Sequence, residues 1–171
     1  MERFIILHGE INRELVNEFW DEVESFVLTH PPSLDPLTVL FASRGGDAQC
    51  GEDLIARMQS LGRPWIAKIY RAASAAAEIA LSAPKRQIVA HGEFKFHLGR
   101  LAVEAQLAAL TGTPGREQTT ANADGRRMLL ALIERNAPGL PKEKLQELLS
   151  TSWLGLSPSE CLEYGIVHEI V

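Results

Sequence analysis

The sequence predicts an α/β fold of stacked strand–helix units around a mostly parallel sheet. Short apolar runs rich in β-branched residues alternate with segments whose apolar residues recur every three or four positions. The first pattern is typical of buried strands and the second of amphipathic helices, and their alternation indicates parallel strands joined by crossover helices. Because the 171 residues contain no internal repeat and no linker, we expect a single domain over 1–171.

The predicted strands are apolar runs bounded by turn-forming residues, and they span 4–7, 37–42, 64–70, 87–90, 94–97 and 166–171. A further short apolar run covers 153–156. The predicted helices show apolar periodicity, high alanine content or a capping pattern, and they cover 10–30, a segment around 54–61, 75–83, 101–110, 125–136, 141–150 and 157–165. The prolines of 31–36 indicate a loop, and the polar stretch 111–124 is expected to be a mobile loop.

Composition and charge exclude several classes of function. The formal net charge is −5 without a Lys/Arg cluster, so we expect no nucleic-acid partner. No apolar run approaches the roughly 20 residues that span a bilayer, and the N-terminus does not resemble a secretion signal. Cys50 and Cys161 lie far apart in no metal-binding spacing. These observations predict a cytoplasmic protein without a membrane segment, disulfide, metal or other cofactor.

Ser74 stands where a predicted strand ends and an alanine-rich helix begins. A serine at such a corner can be presented as a nucleophile, with the free N–H groups of the first helical turn beside it. The simpler interpretation is that Ser74 only caps the helix, since serine is favoured at that position.

Two further features stand at the ends of neighbouring predicted strands. The turn 43–46 contains the adjacent glycines Gly45 and Gly46, whose unhindered N–H groups could bind an oxyanion or a phosphate. His97 ends an apolar strand and could act as a base, although a lone strand histidine is commonly structural. A donor turn, a nucleophile and a base together predict acyl-transfer chemistry.

The segments 43–46, 71–77, 95–98 and 156–168 follow one another in the order and approximate spacing of four family motifs. On them the chain resembles ClpP, the proteolytic subunit of the Clp protease, a serine peptidase within the crotonase-like superfamily. The resemblance covers essentially the whole chain and implies a ClpP/crotonase-like fold. It places Ser74 at the nucleophile position and His97 at the general-base position. By the same comparison, the amides of Gly45 and Ala75 would form the oxyanion hole.

The sequence departs from the family pattern at the third member of the catalytic triad. The family has an aspartate just before the segment that matches 156–168, whereas 151–153 reads Thr-Ser-Trp. Thr151 and Ser152 are the nearest candidates for orienting His97, but a hydroxyl supplies no charge, and a missing acid can cost about 10⁴ in rate. The turn also differs, because Arg44 stands where the family has proline.

The resemblance also implies assembly and partners. ClpP subunits form rings, join two rings through a handle that corresponds here to roughly 99–137, and receive unfolded protein from a Clp-type ATPase. We therefore expect self-association into rings and peptide or unfolded-protein substrates. The chain starts at its first predicted strand, without the family's preceding segment that contacts the ATPase, and this argues against coupling to one.

Three hypotheses of function follow. The first is a ClpP-like serine peptidase that uses Ser74 and His97. The second is a catalytically impaired or inactive ring subunit, which the missing acid favours and the retention of both residues disfavours. The third is a crotonase-type acyl-CoA enzyme, which also holds an oxyanion with two backbone amides but would need glutamates paired for proton transfer, and none is evident.

Overall fold

The computed structural model describes residues 4–30, 36–98, 116–151 and 153–171, and for 116–125 it describes the backbone only. The elements in chain order are β1 (Phe4–Ile11), α1 (Arg13–Thr29), β2 (Leu37–Gly46), α2 (Ala48–Ser60), β3 (Trp65–Ala73), α3 (Ala75–Leu81), β4 (Lys85–His97), α4 (Arg116–Asn136), α5 (Lys142–Thr151), β5 (Trp153–Leu156), α6 (Pro158–Glu163) and β6 (Glu169–Ile170). The mixed α/β architecture that the sequence predicts is confirmed.

Within these ranges the strands form one mostly parallel sheet in the order β1-β2-β3-β4-β5, and β6 pairs with β4. Strands β1 to β4 are parallel neighbours, whereas β5 runs antiparallel to β4. Each parallel strand is added on the same side of the one before it, so right-handed crossovers place the connecting helices on one face of the sheet. The carboxyl-terminal ends of β2, β3 and β4 consequently lie at the same edge of the sheet, and the predicted site residues lie at this edge.

The core lies between the helices and the sheet face that they cover. On β1, Ile5 and Leu7 are buried against this core, while Phe4 and Ile6 point the other way and are each 51% exposed. Helix α1 buries Val16, Phe19 and Val23, spaced three and four residues apart as its apolar periodicity predicts. The opposite face of the sheet, bearing Phe4 and Ile6, is called the open face below.

Helix α3 is almost entirely buried, which explains its alanine content. Its first three residues, Ala75–Ala77, are all buried, and α2 packs directly on its start. A Cβ added to Gly51 of α2 would lie 3.1 Å from the Ala75 Cβ. Only small side chains allow this close approach, and so the alanines bring the helix N-terminus against the sheet edge rather than merely favouring helix formation.

Arg86 of β4 is a buried cation that the sequence analysis missed. Its side chain is 5% exposed, and its guanidinium donates hydrogen bonds to carbonyl oxygens from three separate segments of the chain. These acceptors are the carbonyls of Ile166 at 2.6 Å, Ala83 at 2.7 Å, Asn136 at 2.8 Å, Gly165 at 3.2 Å and Leu81 at 3.3 Å. Burial lowers the pKa of Arg86, but arginine stays charged at neutral pH. The guanidinium therefore joins the chain terminus, the end of α4 and the turn after α3.

Several predicted element boundaries were wrong. The runs 87–90 and 94–97 belong to one strand, β4, which pairs with β3 on both sides of an irregularity between Ile88 and Glu93, with β6 at its start and with β5 at its end. Helix α4 begins at Arg116, so 116–124 is helical rather than the loop that its polarity predicted. The last strand shortens from 166–171 to Glu169–Ile170. The predicted helix 101–110 and the handle residues 99–115 lie outside the described residues.

In the described part of the chain, no helix combines the length and apolar character needed to cross a membrane. The same ranges contain no group of three or more His, Cys, Asp or Glu side chains arranged to hold a metal ion.

Glu78 in the first turn of α3 gives the fold a pH dependence. Burial, reinforced by the nearby carboxylate of Glu52, raises the pKa of Glu78 from 4.5 to about 7. Since the folded chain holds this proton more tightly than the unfolded chain, stability should fall as pH rises from 4.5 to about 7 and then level off. We expect Glu78→Gln to raise the free energy of unfolding above pH 7 by about 2 kcal/mol, measured by urea unfolding.

The matched control is Glu52→Gln, which removes only the smaller electrostatic contribution and should stabilise the chain much less. The free energy of unfolding is measured at about pH 5 and about pH 8 for the wild type and for Glu78→Gln. If both proteins lost the same stability over this interval, Glu78 would not be the group that causes the pH dependence.

Candidate active site

Ser74 occupies a strained corner between β3 and α3. Its backbone has φ 53° and ψ −130°, and it is the one non-glycine residue with positive φ in the described ranges. Such a conformation costs about 1–3 kcal/mol and is retained mainly where function or surrounding structure requires it. The Ser74 side chain makes no capping hydrogen bond to α3, so the simple helix-cap interpretation does not account for it. The corner is fixed by the Ser74 N–H, which donates to the Lys95 carbonyl at 3.0 Å.

His97, the last residue of β4, lies beside Ser74. The Ser74 Oγ and His97 Nδ1 are 3.3 Å apart, at the long end of hydrogen-bonding distance. The neighbouring antiparallel strand β5 pairs Trp153 with His97. The two rings stack with centroids 3.9 Å apart and planes inclined by 23°. Stacking restricts rotation of the imidazole, so Trp153 holds the ring that faces Ser74.

The segment 43–46, which the sequence predicts as a turn, is the end of β2, and its Gly45 packs directly against the Ser74 corner. This glycine has φ +93°, and a Cβ built on it would lie 2.6 Å from the Ala73 carbonyl oxygen, 2.8 Å from the Ser74 Cβ and 3.0 Å from the Ala75 nitrogen. Only glycine permits this contact, which brings the two segments carrying Gly45 and Ala75 together.

The amides of Gly45 and Ala75 differ in their surroundings. The Gly45 N–H donates to the Ser43 Oγ at 3.0 Å, and this hydroxyl in turn donates to the Gly9 carbonyl at 2.6 Å. Ala75 is the first residue of α3, where the helix supplies no acceptor for the N–H group. Binding of an oxyanion between the two would therefore require the Gly45 amide to exchange its bond with Ser43.

The predicted third member of the triad falls at the end of α5. The Thr151 hydroxyl lies 2.9 Å from the Glu147 carbonyl and 2.6 Å from the Trp153 carbonyl, so its hydrogen bonds serve the backbone at the helix end. Ser152 lies outside the described residues. The role of either hydroxyl in orienting His97 stays a prediction.

A cleft of about 460 Å³ adjoins this corner, and its lining includes Arg44, Arg71, Ala73, Glu93, Lys95 and Trp153. Arg44 and Arg71 also line a second cleft of about 520 Å³, which reaches His8 and Glu10 of β1. The two clefts thus share a boundary.

The stacking role of Trp153 and, apart from Arg44, the charged lining were not predicted from the sequence. Alternation along β4 could have revealed part of it, since residues two apart on a strand share a face and Glu93, Lys95 and His97 are so spaced. The stacking of Trp153 on His97 could not be inferred locally, because it depends on the antiparallel register of β5.

Comparison with solved structures shows which known fold this chain resembles. A mutant of ClpP1 from Listeria monocytogenes superposes with a TM-score of 0.71 at 25% sequence identity, over 99% of this chain and 91% of that chain. The chain has a ClpP-like fold. No protein-family model matches the sequence, and a search of curated proteins also found no match. The ClpP-like fold therefore rests on the three-dimensional comparison, which covers 99% of this chain.

Proposed function

We propose that this ClpP-like protein is a serine peptidase in which Ser74 is the nucleophile and His97 the general base. The observation that carries the proposal is the strained Ser74, whose Oγ lies 3.3 Å from the Nδ1 of His97 at the start of a buried helix. Similarity in fold to a ClpP1 subunit supports the same reaction class.

The reaction would proceed by acyl transfer. His97 Nδ1 accepts the Ser74 hydroxyl proton, which requires the neutral imidazole to carry its own proton on Nε2. The Ser74 Oγ then attacks a peptide carbonyl, and the amides of Gly45 and Ala75 bind the developing oxyanion. Protonated His97 passes its proton to the leaving amine, and the C–N bond breaks. Water, deprotonated by His97, hydrolyses the acyl-enzyme and regenerates Ser74.

A second candidate is a catalytically impaired subunit of the same fold. Residues 151–153, Thr-Ser-Trp, include no acid where the resemblance expects an aspartate. In this case the geometry of Ser74 and His97 would be retained while turnover falls by as much as about 10⁴. The two candidates differ in rate rather than in site, so they are separated by measuring whether Ser74 reacts.

Self-association is part of the proposal. The open face carries Phe4 and Ile6, each 51% exposed, and Tyr70 at the site end of β3 is 48% exposed. Large apolar side chains exposed on one sheet face favour coverage by another protein surface. Together with the ClpP-like fold, they support association of copies of this chain into a ring, to be measured by sedimentation velocity.

Labelling with a fluorophosphonate probe tests the nucleophile. We expect the wild-type protein to be labelled, Ser74→Ala to lose labelling completely, and His97→Ala to slow it by about 10²–10⁴ because the base is gone. Ser82→Ala is the matched control, since Ser82 ends the same helix with its hydroxyl bonded to the Ile79 carbonyl. Absence of labelling in the folded, assembled wild type, or labelling that survives in Ser74→Ala, would overturn the proposal.

Trp153 is expected to act as a positioning residue for His97. Trp153→Ala should slow fluorophosphonate labelling by about tenfold, because the imidazole loses the ring that restricts its orientation. Trp153→Phe should restore most of the rate, since a phenyl ring can also stack. The measurement is the labelling rate at saturating probe, with the melting temperature of each variant followed in parallel. Equal rates for the alanine and phenylalanine variants would show that stacking does not orient His97.

A further inference from the structure

We propose that the cleft beside Ser74 binds a carboxylate of the peptide substrate, so that acidic peptides are the preferred substrate class. This inference rests on the proposed peptidase function and adds a specificity to it. Its basis is the charge, the available donors and the position of the side chains that line the cleft.

The charged lining of the cleft is predominantly cationic. Arg44, Arg71 and Lys95 line it together with one carboxylate, Glu93. The Arg71 Nε donates to Glu93 at 2.9 Å, and the Lys95 ammonium contacts the other oxygen of the same carboxylate. Glu93 therefore neutralises one of the three cations and holds Arg71 and Lys95 in place, leaving an excess of positive charge facing the cleft.

Donors remain available on these cations. Glu93 accepts from the Nε of Arg71, and the terminal nitrogens of this guanidinium carry four further N–H donors. Within the described ranges, the Arg44 side chain makes no hydrogen bond or ion pair, and the residue is exposed. An arginine that lines two adjoining clefts without an internal partner is suited to bidentate recognition of a carboxylate.

The cations lie close enough to Ser74 to act on the residues next to the scissile bond. Arg44 directly precedes Gly45, which packs on the Ser74 corner, and Ala73 of the cleft directly precedes Ser74. Lys95 is two residues before His97 on the same face of β4, a separation of about 7 Å. A carboxylate bound here would belong to a substrate residue about one or two positions from the scissile bond.

Binding to the Ser74→Ala variant tests the inference without turnover. Alanine hexapeptides that carry one Glu or one Gln at each position in turn are titrated by calorimetry. We expect the best Glu peptide to bind about five- to tenfold more tightly than its Gln counterpart, and this ratio to fall with added salt. In Arg44→Gln, Ser74→Ala the ratio should approach about one, because the unpaired guanidinium is removed.

The matched control is Lys68→Gln in the same background, since Lys68 lies on β3 outside the cleft lining and its loss should leave the ratio unchanged. Equal affinity for Glu and Gln peptides, no binding of either, or a preference that persists in the Arg44→Gln background would overturn the inference. Peptides with free or amidated C-termini decide whether the carboxylate comes from a side chain or from the chain end.

The two proposals fail in different ways. If Glu and Gln peptides bound equally well while the probe labelled wild-type Ser74, the carboxylate site would be rejected and the peptidase proposal would stand. A Glu preference in a protein whose Ser74 is not labelled would reject the peptidase and leave the binding site standing.

Discussion

Gly45→Ala is expected to slow fluorophosphonate labelling of Ser74 by about 10²–10³. The added Cβ would lie 2.6 Å from the Ala73 carbonyl oxygen and 2.8 Å from the Ser74 Cβ. Neither atom can rotate away, because one belongs to the backbone and the other is fixed to it. The end of β2 must therefore withdraw from the corner, taking the Gly45 amide out of reach of an oxyanion bound at Ser74.

Gly62→Ala provides the matched control for Gly45→Ala. Gly62 also has positive φ, +62°, but a Cβ built there meets nothing within 4 Å. It should cost about 1 kcal/mol of stability from backbone strain alone and leave the labelling rate unchanged. Labelling rate and urea unfolding are measured for both variants. A Gly45→Ala protein that is labelled at the wild-type rate would show that the close approach of the end of β2 to Ser74 is dispensable.

Arg86→Leu is expected to lower the free energy of unfolding by about 3–5 kcal/mol. The substitution removes the donor from the buried carbonyl oxygens of Ile166 and Ala83 and from the partly buried one of Asn136, which the guanidinium bonds at 2.6–2.8 Å. The two buried carbonyls then lose this hydrogen bond without gaining water, since Arg86 is 5% exposed. Equilibrium urea unfolding of the whole chain measures the loss.

Lys85→Leu is the control for Arg86→Leu, because Lys85 is exposed at the start of the same strand and its replacement should change stability by less than about 0.5 kcal/mol. The loss of stability in Arg86→Lys should lie between those of Arg86→Leu and Lys85→Leu, since an ammonium has fewer donors than a guanidinium and cannot reach all the carbonyls. If Arg86→Leu destabilised the chain by less than about 1 kcal/mol, the acceptors would have other partners and the guanidinium would not hold the three segments together.

Much of the fold could be predicted from the sequence because strand and helix signals are local. The apolar runs and the three-to-four spacing of α1 identified the alternation, and right-handed crossovers limit how such units can join. Boundaries were less predictable where pairing overrides local preference. Strand β4 is one element although its pairing with β3 is irregular between Ile88 and Glu93, because β6 pairs with its start and β5 with its end, which no property of residues 91–93 indicates.

For the candidate site, the sequence by itself determined which residues could act. Ser74, His97 and Gly45 lie at strand ends, and parallel strands bring their ends to one edge of the sheet. Only the tertiary structure decided how they meet: the positive φ of Ser74, its 3.3 Å separation from His97 and the packing of Gly45 against the corner. The stacking of Trp153 and the carbonyl bonds of Arg86 likewise join residues far apart in the chain. Such contacts depend on strand register and burial, so they are fixed when the elements pack together and not by the residues that form each element.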